Sequence, residues 1–155
     1  MTALAELATN RHLLTALTAM IIAQILKTFF DYWRTKSWKK ALFVSTGGMP
    51  SSHSALSVAA TVSIGMYEGF GTTVFAISAV IALVVMHDAA GIRRAAGKQA
   101  EAINFLFSKL EDQGIKLDEK LKELLGHRPV EVFAGAILGL VVALVSFEIF
   151  PLVTS

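Results

Sequence analysis

Four long apolar runs alternate with polar segments along this chain of 155 residues. The runs extend from Leu13 to about Phe30, from Ala55 to about Met66, from Thr72 to Met86, and from Val130 to Phe150. A helix needs roughly 20 apolar residues to cross a bilayer, with about 17 as the lower limit. The pattern therefore predicts an all-α integral membrane protein with about four transmembrane helices. The second run is short enough to be a tilted or partly re-entrant helix.

Two polar segments lie between these runs. The first is predicted to be a loop from Asp31 to Ser52, and the second is an insert over residues 97–125. Apolar residues in the insert fall at helical spacing with charges between them, before Gly114 and again after it. Such a pattern is typical of helices that lie on a membrane surface or against a bundle, and a soluble helical hairpin is the alternative. The whole chain, residues 1–155, is interpreted as one domain.

Basic residues are distributed unevenly over the predicted topology. With a tight turn at residues 68–71, 13 of the 14 Lys and Arg residues lie on one side and only Arg11 lies on the other. The positive-inside rule makes the crowded side cytoplasmic, in a bacterial inner membrane or an equivalent organelle membrane. The net charge of +2 is too small to indicate a nucleic-acid partner. Because the chain has no cysteine, disulfides and thiolate metal sites are excluded.

A helix start with phosphate-binding character precedes the second apolar run, in the stretch Gly47 to Ser54. Pro50 is predicted at a first helical position, with Ser51 and Ser52 beside it. The unpaired N–H groups and the positive dipole end of a helix start favour a phosphate. His53 can exchange protons near neutral pH.

The predicted topology brings more reactive groups to this side of the membrane. His127 opens the fourth helix, and Glu131 follows at i, i+4, so the carboxylate can reach the imidazole. Cations flank the ends of the first and third runs, namely Lys27, Arg34, Arg93 and Arg94. Phosphoryl transfer needs cations around the phosphate together with a nucleophile and an acid. These groups predict a phosphate-ester site at a membrane surface.

These groups resemble the three signature motifs of the type 2 phosphatidic acid phosphatase and vanadium haloperoxidase superfamily. Its first motif is Lys, six residues, Arg-Pro, and here Lys27 and Arg34 match, with Thr35 replacing the proline. Its second motif is Pro-Ser-Gly-His, and residues 50–53 match it with serine in place of glycine. The whole chain resembles the small divergent membrane branch of that superfamily.

The third superfamily motif is Ser-Arg, five residues, His, three residues, Asp. Here His127 and Glu131 match its second half, with glutamate in place of aspartate. The arginine of the first half is assigned to Arg93 or Arg94, which the insert separates from the histidine.

The resemblance implies a phosphatase that needs no metal and no cofactor. His127 would be the nucleophile that forms a phosphohistidine, Glu131 would orient it, and His53 would be the general acid. Asp88 is expected to pair with an arginine and hold it in place. The phosphate would be held by side chains and backbone N–H groups of the remaining motif residues, namely Lys27, Arg34, Ser51, Ser52, Arg93 and Arg94.

The expected substrate is a lipid phosphate or diphosphate. A cytoplasmic site favours phosphatidylglycerol phosphate or phosphatidic acid, and a prenyl diphosphate is the alternative. Because four short helices make a small bundle, we expect a homodimer, with Gly135 and Gly139 serving helix packing or dimerisation. A metal site at His87 and Asp88 is disfavoured, since their spacing matches no local metal motif. The competing function is a non-catalytic membrane protein that binds anionic lipid head groups or scaffolds a partner.

Overall fold

The computed structural model describes residues 2–36, 48–111, 121 and 127–149. Within these ranges the chain is helical and contains no strand. The helices are α1 (Ala3–Thr9), α2 (Arg11–Thr35), α3 (Ser52–Glu68), α4 (Thr73–Ala90), α5 (Ile92–Glu111) and α6 (Pro129–Ile149). Of the side chains inside these helices, those of Arg34, residues 92–94 and Glu111 lie outside the description. The four predicted apolar helices correspond to α2, α3, α4 and α6, which confirms the expected all-α membrane fold.

Among the described residues, three stretches are long and apolar enough to cross a membrane, namely Arg11–Trp33 in α2, Thr73–Leu110 over α4 and α5, and Pro129–Ile149 in α6. Large apolar side chains on their outer surfaces stay exposed, for example Ile25, Val80 and Ile137. A surface of this kind suits lipid, in which a helix satisfies all of its own backbone groups. Helix α3 has only 17 residues, near the lower limit for a span.

Helix α3 lies at the centre and packs against α2, α4 and α6. Its inner positions are small, and Ala55 and Ala59 are fully buried. Opposite them α6 carries Gly135 and Gly139, where an added Cβ would overlap the carbonyl oxygens of Ser51 and Ala55. The two glycines therefore serve close packing between α6 and α3 within one chain, as small-xxx-small pairs do between membrane helices.

Two predicted boundaries were wrong. Asp31 to Thr35 were assigned to a loop but continue α2, which ends at the left-handed Lys36. Hydropathy does not predict where α2 ends, because a helix can continue with polar residues beyond the apolar part of a membrane. Pro50 is not a first helical residue, since Ser51 is the N-cap of α3 and accepts a hydrogen bond from the Ser54 N–H (3.3 Å). A serine oxygen can satisfy that N–H group, and proline before the cap costs the helix nothing.

The amphipathic insert begins as α5, which starts at Ile92, directly after Gly91. Ile103, Leu106 and Leu110 on α5 stay exposed, as in a helix that lies on a membrane surface. The Asn104 side chain donates to the Leu121 carbonyl (2.7 Å) and accepts from its N–H (2.8 Å). Apart from Leu121, the second predicted amphipathic helix falls outside the described residues.

The far end of the bundle, opposite the start of α3, carries a separate polar cluster. His12 Nδ1 lies 2.9 Å from the Ser63 hydroxyl, and His12 Nε2 lies 3.3 Å from a Glu68 carboxylate oxygen. The Arg11 guanidinium stacks over the Tyr67 ring at 4.7 Å. These contacts fix the N-terminus of α2 against the C-terminus of α3. The predicted tight turn follows at Gly69, which has a φ of +103°.

Candidate active site

A histidine–carboxylate pair lies where α6 begins. His127 precedes the helix by two residues and is 1% exposed. Its Nδ1 lies 3.2 Å from Oε2 of Glu131, in the first turn of α6. Its backbone N–H donates to the carbonyl of Ala89 in the last turn of α4 (3.2 Å). The start of α6 thus holds the ring of His127, and the end of α4 holds its backbone.

The Glu131 carboxylate is itself held in place. The Arg128 N–H donates to the same Oε2 atom (3.1 Å), which is the glutamate half of a capping box at the start of a helix. The Glu131 carbonyl accepts the Ser51 N–H (2.9 Å). One residue therefore caps α6, binds the imidazole of His127 and joins α6 to the start of α3.

His53, the second residue of α3, faces the same place. Its ring centroid is 6.4 Å from that of His127, and the two ring planes are inclined by 61°. His53 is half-buried. Two imidazoles and one carboxylate from distant parts of the chain thus share one site, in the arrangement that a nucleophile, an acid and an orienting group require.

The two serines before His53 are buried, and Ser51 stabilises the start of α3. The Ser51 hydroxyl accepts the Ser54 N–H and also a hydrogen bond from the Ser54 hydroxyl (3.1 Å). Its own N–H is bonded to the Glu131 carbonyl. Ser51 therefore fixes α3 against α6. The direct phosphate contact that was predicted for both serines stays a prediction.

A polar cavity of about 260 Å³ opens beside Glu131. Lys27 lines it and is 1% exposed, and its stem lies against Gly48, where an added Cβ would come within 3.2 Å of the Lys27 Cγ. Asp31 and Arg128 complete its charged lining. Because two cations and two carboxylates cancel in formal charge, a phosphate bound here needs more positive charge than these four residues supply. Neither His53 nor His127 lines this cavity.

Three predicted phosphate ligands cannot be placed at the site. Arg34 lies near the C-terminus of α2, and Arg93 and Arg94 lie in the first turn of α5, but their side chains are outside the described residues. Asp88 is half-buried in the last turn of α4, next to the residue that accepts the His127 N–H. Its predicted arginine partner stays a prediction. Over the ranges that the structure covers, no three His, Asp or Glu side chains form a metal-ligand cluster.

Two residues of the polar cavity had no role in the sequence prediction. Arg128 was counted only as a membrane-side cation, and Asp31 was placed in a loop. Both line the cavity together with Lys27 and Glu131. A signal existed for each: Arg128 directly follows His127, and Asp31 lies four residues after Lys27, one turn along the same helix.

Comparisons with known proteins give a family match and a curated relative. A family model described as "Divergent PAP2 family" matches residues 8–142. The chain is 40% identical over 151 residues to the uncharacterized membrane protein YuiD of Bacillus subtilis (strain 168), covering 90% of this chain and 96% of that protein. No solved structure matches the chain.

Proposed function

The chain belongs to the divergent PAP2 family and is a phosphatase-related membrane protein, and we propose that it hydrolyses a lipid phosphate through a phosphohistidine. The substrate is a phosphomonoester or diphosphate of the phosphatidylglycerol phosphate, phosphatidic acid or prenyl diphosphate class. The observation that carries the proposal is the pair of His127 and Glu131 with the His53 ring beside it.

The carboxylate contact supports His127 as the nucleophile. Glu131 Oε2 also accepts the Arg128 N–H, so this oxygen is an acceptor, and Nδ1 of His127 must carry the proton that the two share. The lone pair of the imidazole then lies on Nε2. The same carboxylate stabilises the positive charge that the ring gains when Nε2 attacks phosphorus.

The proposed reaction has two steps, with His53 moving a proton in each. In the first, Nε2 of His127 bonds to phosphorus, the bond to the leaving oxygen breaks, and that oxygen takes a proton from the His53 imidazolium. In the second, water attacks the phosphohistidine and gives a proton to neutral His53, and the phosphorus–nitrogen bond breaks. Inorganic phosphate leaves, and both rings return to their starting states.

Phosphate binding is assigned to cations around this pair. Lys27 and Arg128 line the polar cavity beside Glu131. Arg34 and one or both of Arg93 and Arg94 are proposed to supply the remaining positive charge, and Asp88 to hold one of those arginines. Ser52 is proposed to add a hydrogen bond, while Ser51 holds the helix start in position.

The side of the membrane and the assembly are also proposals. The predicted topology brings 13 basic residues to one side and supports a cytoplasmic site, where phosphatidylglycerol phosphate and phosphatidic acid are favoured over a diphosphate presented outside. The exposed apolar surfaces of α2, α4 and α6 leave room for a second copy, and we propose a homodimer.

The burial of His127 favours a second candidate function. A ring that is 1% exposed suits a structural residue as well as a nucleophile screened from water. A non-catalytic protein could bind anionic head groups through Lys27 and Arg128 without any phosphoryl transfer.

One experiment separates the two functions. Purified protein in detergent is assayed for phosphate release on a panel of lipid phosphates with EDTA present, and the phosphoenzyme is trapped with labelled substrate. We expect His127→Ala to abolish the acid-labile phosphoenzyme. The same substitution should lower the rate of phosphate release by at least about 10³-fold. His53→Ala should lower the rate severely, whereas His87→Ala, an exposed histidine at the end of α4, should change neither. Wild-type protein that binds these lipids but releases no phosphate would refute the proposed reaction.

A further inference from the structure

A second cavity begins at His53 and differs from the polar one in character. It measures about 360 Å³ and lies between α3 and α4 beside Met20 of α2, with Ser52 and His53 at the end nearest the start of α3. Apolar side chains form its walls, including Leu56 and Ala60 on α3 and Ile81 and Val85 on α4. Its volume falls in the roughly 300–1,000 Å³ range of small-molecule sites.

The hydroxyl groups in this groove do not make it polar. Thr61 donates to the carbonyls of Ser57 (2.9 Å) and Ser78 (3.1 Å), and Ser78 donates to the Phe75 carbonyl (2.8 Å). Ser57 donates to the Ser54 carbonyl (3.3 Å). Since each of these hydroxyl hydrogens is taken by helix backbone, the groove offers hydrocarbon surface to an occupant.

The depth of the groove matches one leaflet of a bilayer. From His53 to Thr61 it follows eight residues of α3, about 12 Å at 1.5 Å per residue. Half of a hydrocarbon core of about 30 Å is about 15 Å. The groove thus runs from the site at the helix start to near the bilayer midplane. A lipid chain attached to a head group at that site must follow the same path.

We infer that this groove holds one hydrocarbon chain of the lipid substrate, an inference that rests on the proposed function. The polar cavity is lined by Glu131 and Lys27, the apolar groove is lined by His53, and the two have no lining residue in common. That division fits a lipid phosphate, because the acid His53 must contact the leaving oxygen, which carries the lipid chain. The phosphate then lies at Nε2 of His127, and the chain lies along α3 and α4.

Photolabelling tests the occupant without relying on hydrolysis. Protein is reconstituted in phosphatidylcholine vesicles with phosphatidic acid that carries a diazirine in one acyl chain, and a phosphatidylcholine with the same chain serves as the control probe. We expect the phosphatidic acid probe to label peptides around Leu56 and Val85, in competition with unlabelled phosphatidic acid. Equal labelling by both probes would mean that bulk lipid fills the groove, and would overturn the inference.

A matched pair of substitutions on α4 sharpens the test. Val85→Phe fills the groove, whereas Val80→Phe adds the same side chain at an outward position that is 60% exposed. Val85→Phe should lower specific labelling roughly tenfold, the factor that corresponds to losing the burial of about two methylene groups. The rate on long-chain phosphatidic acid relative to p-nitrophenyl phosphate should fall by a similar factor, and Val80→Phe should change neither. Ala60→Phe, on the facing wall, is the second variant if Val85→Phe does not fold.

The outcomes for the groove and for the reaction are separable. Specific labelling without phosphate release would refute the phosphatase function and retain the lipid-chain site. Phosphate release with labelling that Val85→Phe and Ala60→Phe leave unchanged would refute the groove and retain the reaction.

Discussion

Gly135→Ala tests how the site end of α6 is held against α3. A methyl group at this position would overlap the Ser51 carbonyl oxygen and lie 3.0 Å from the Ser54 Cβ. Carbon atoms pack best at about 3.5–4.0 Å, so the helices must separate by at least about 0.5 Å. The main obstacle is backbone, which cannot rotate aside. We expect a loss of about 1–3 kcal/mol in stability, as for other overpacked positions.

The same separation should disturb the chemistry. Gly135 lies one turn after Glu131, whose carbonyl accepts the Ser51 N–H at 2.9 Å. Moving α6 away lengthens that bond and shifts His127 relative to His53. A displacement of about 1 Å at reacting groups can cost about 10²-fold in rate, and the smaller shift here predicts a loss of about tenfold.

Two other glycines provide matched controls. Gly139→Ala would overlap the Ala55 carbonyl oxygen one turn further from the site, whereas Gly71 has no atom within 4 Å of an added Cβ. Thermal unfolding in detergent should show similar losses for the first two variants and none for Gly71→Ala. Phosphate release well below the unfolding temperature should fall more in Gly135→Ala than in Gly139→Ala. Wild-type stability in Gly135→Ala would refute the close approach, and equal rate losses in both variants would refute its link to the site.

Three further substitutions address single contacts. Glu131→Gln should slow phosphate release about 10²–10⁴-fold, because an amide cannot stabilise the charged His127 ring as the carboxylate does. An unchanged rate in the same assay would show that Glu131 takes no part in the reaction. Ser51→Ala removes the N-cap of α3 and should cost about 0.5–2 kcal/mol in thermal unfolding, with Ser52→Ala as the control expected to cost less. Lys27→Met keeps most of the buried side-chain stem but removes the charge, so KM for phosphatidic acid should rise at least about tenfold. An unchanged KM would show that Lys27 does not bind the phosphate.

The helices of this fold could be predicted because a chain that crosses a lipid bilayer has few alternatives to a helix. An apolar run that must satisfy its own backbone groups in a membrane forms a helix, and hydropathy finds such runs directly. The same measure misses polar helix ends, and for this reason Asp31 was assigned to a loop. It also cannot show that α3 is the central helix, since that position depends on small residues packing against Gly135 and Gly139.

The candidate site was predictable to different degrees for related reasons. His127 and Glu131 are four residues apart at a helix start, so their contact is local. The approach of His53 depends on topology, which the tight turn and the basic residues indicated. The polar cavity and the apolar groove depend on how three helices pack, and no local pattern encodes either. Consequently Val85 becomes visible as a candidate site residue only in the folded chain.

The proposed division of the third motif between Arg93 or Arg94 and His127 also has a structural explanation. The His127 N–H donates to the Ala89 carbonyl, so the end of α4 and the start of α6 meet although the insert lies between them. Arg93 and Arg94 are the second and third residues of α5, which begins directly after Gly91, and their backbone therefore starts about one turn from that hydrogen bond. Each doubling of loop length costs only about 0.6 kcal/mol in closure entropy. An insert whose two ends meet at one point of the bundle can thus separate the two halves of a motif in the sequence while they stay close in space.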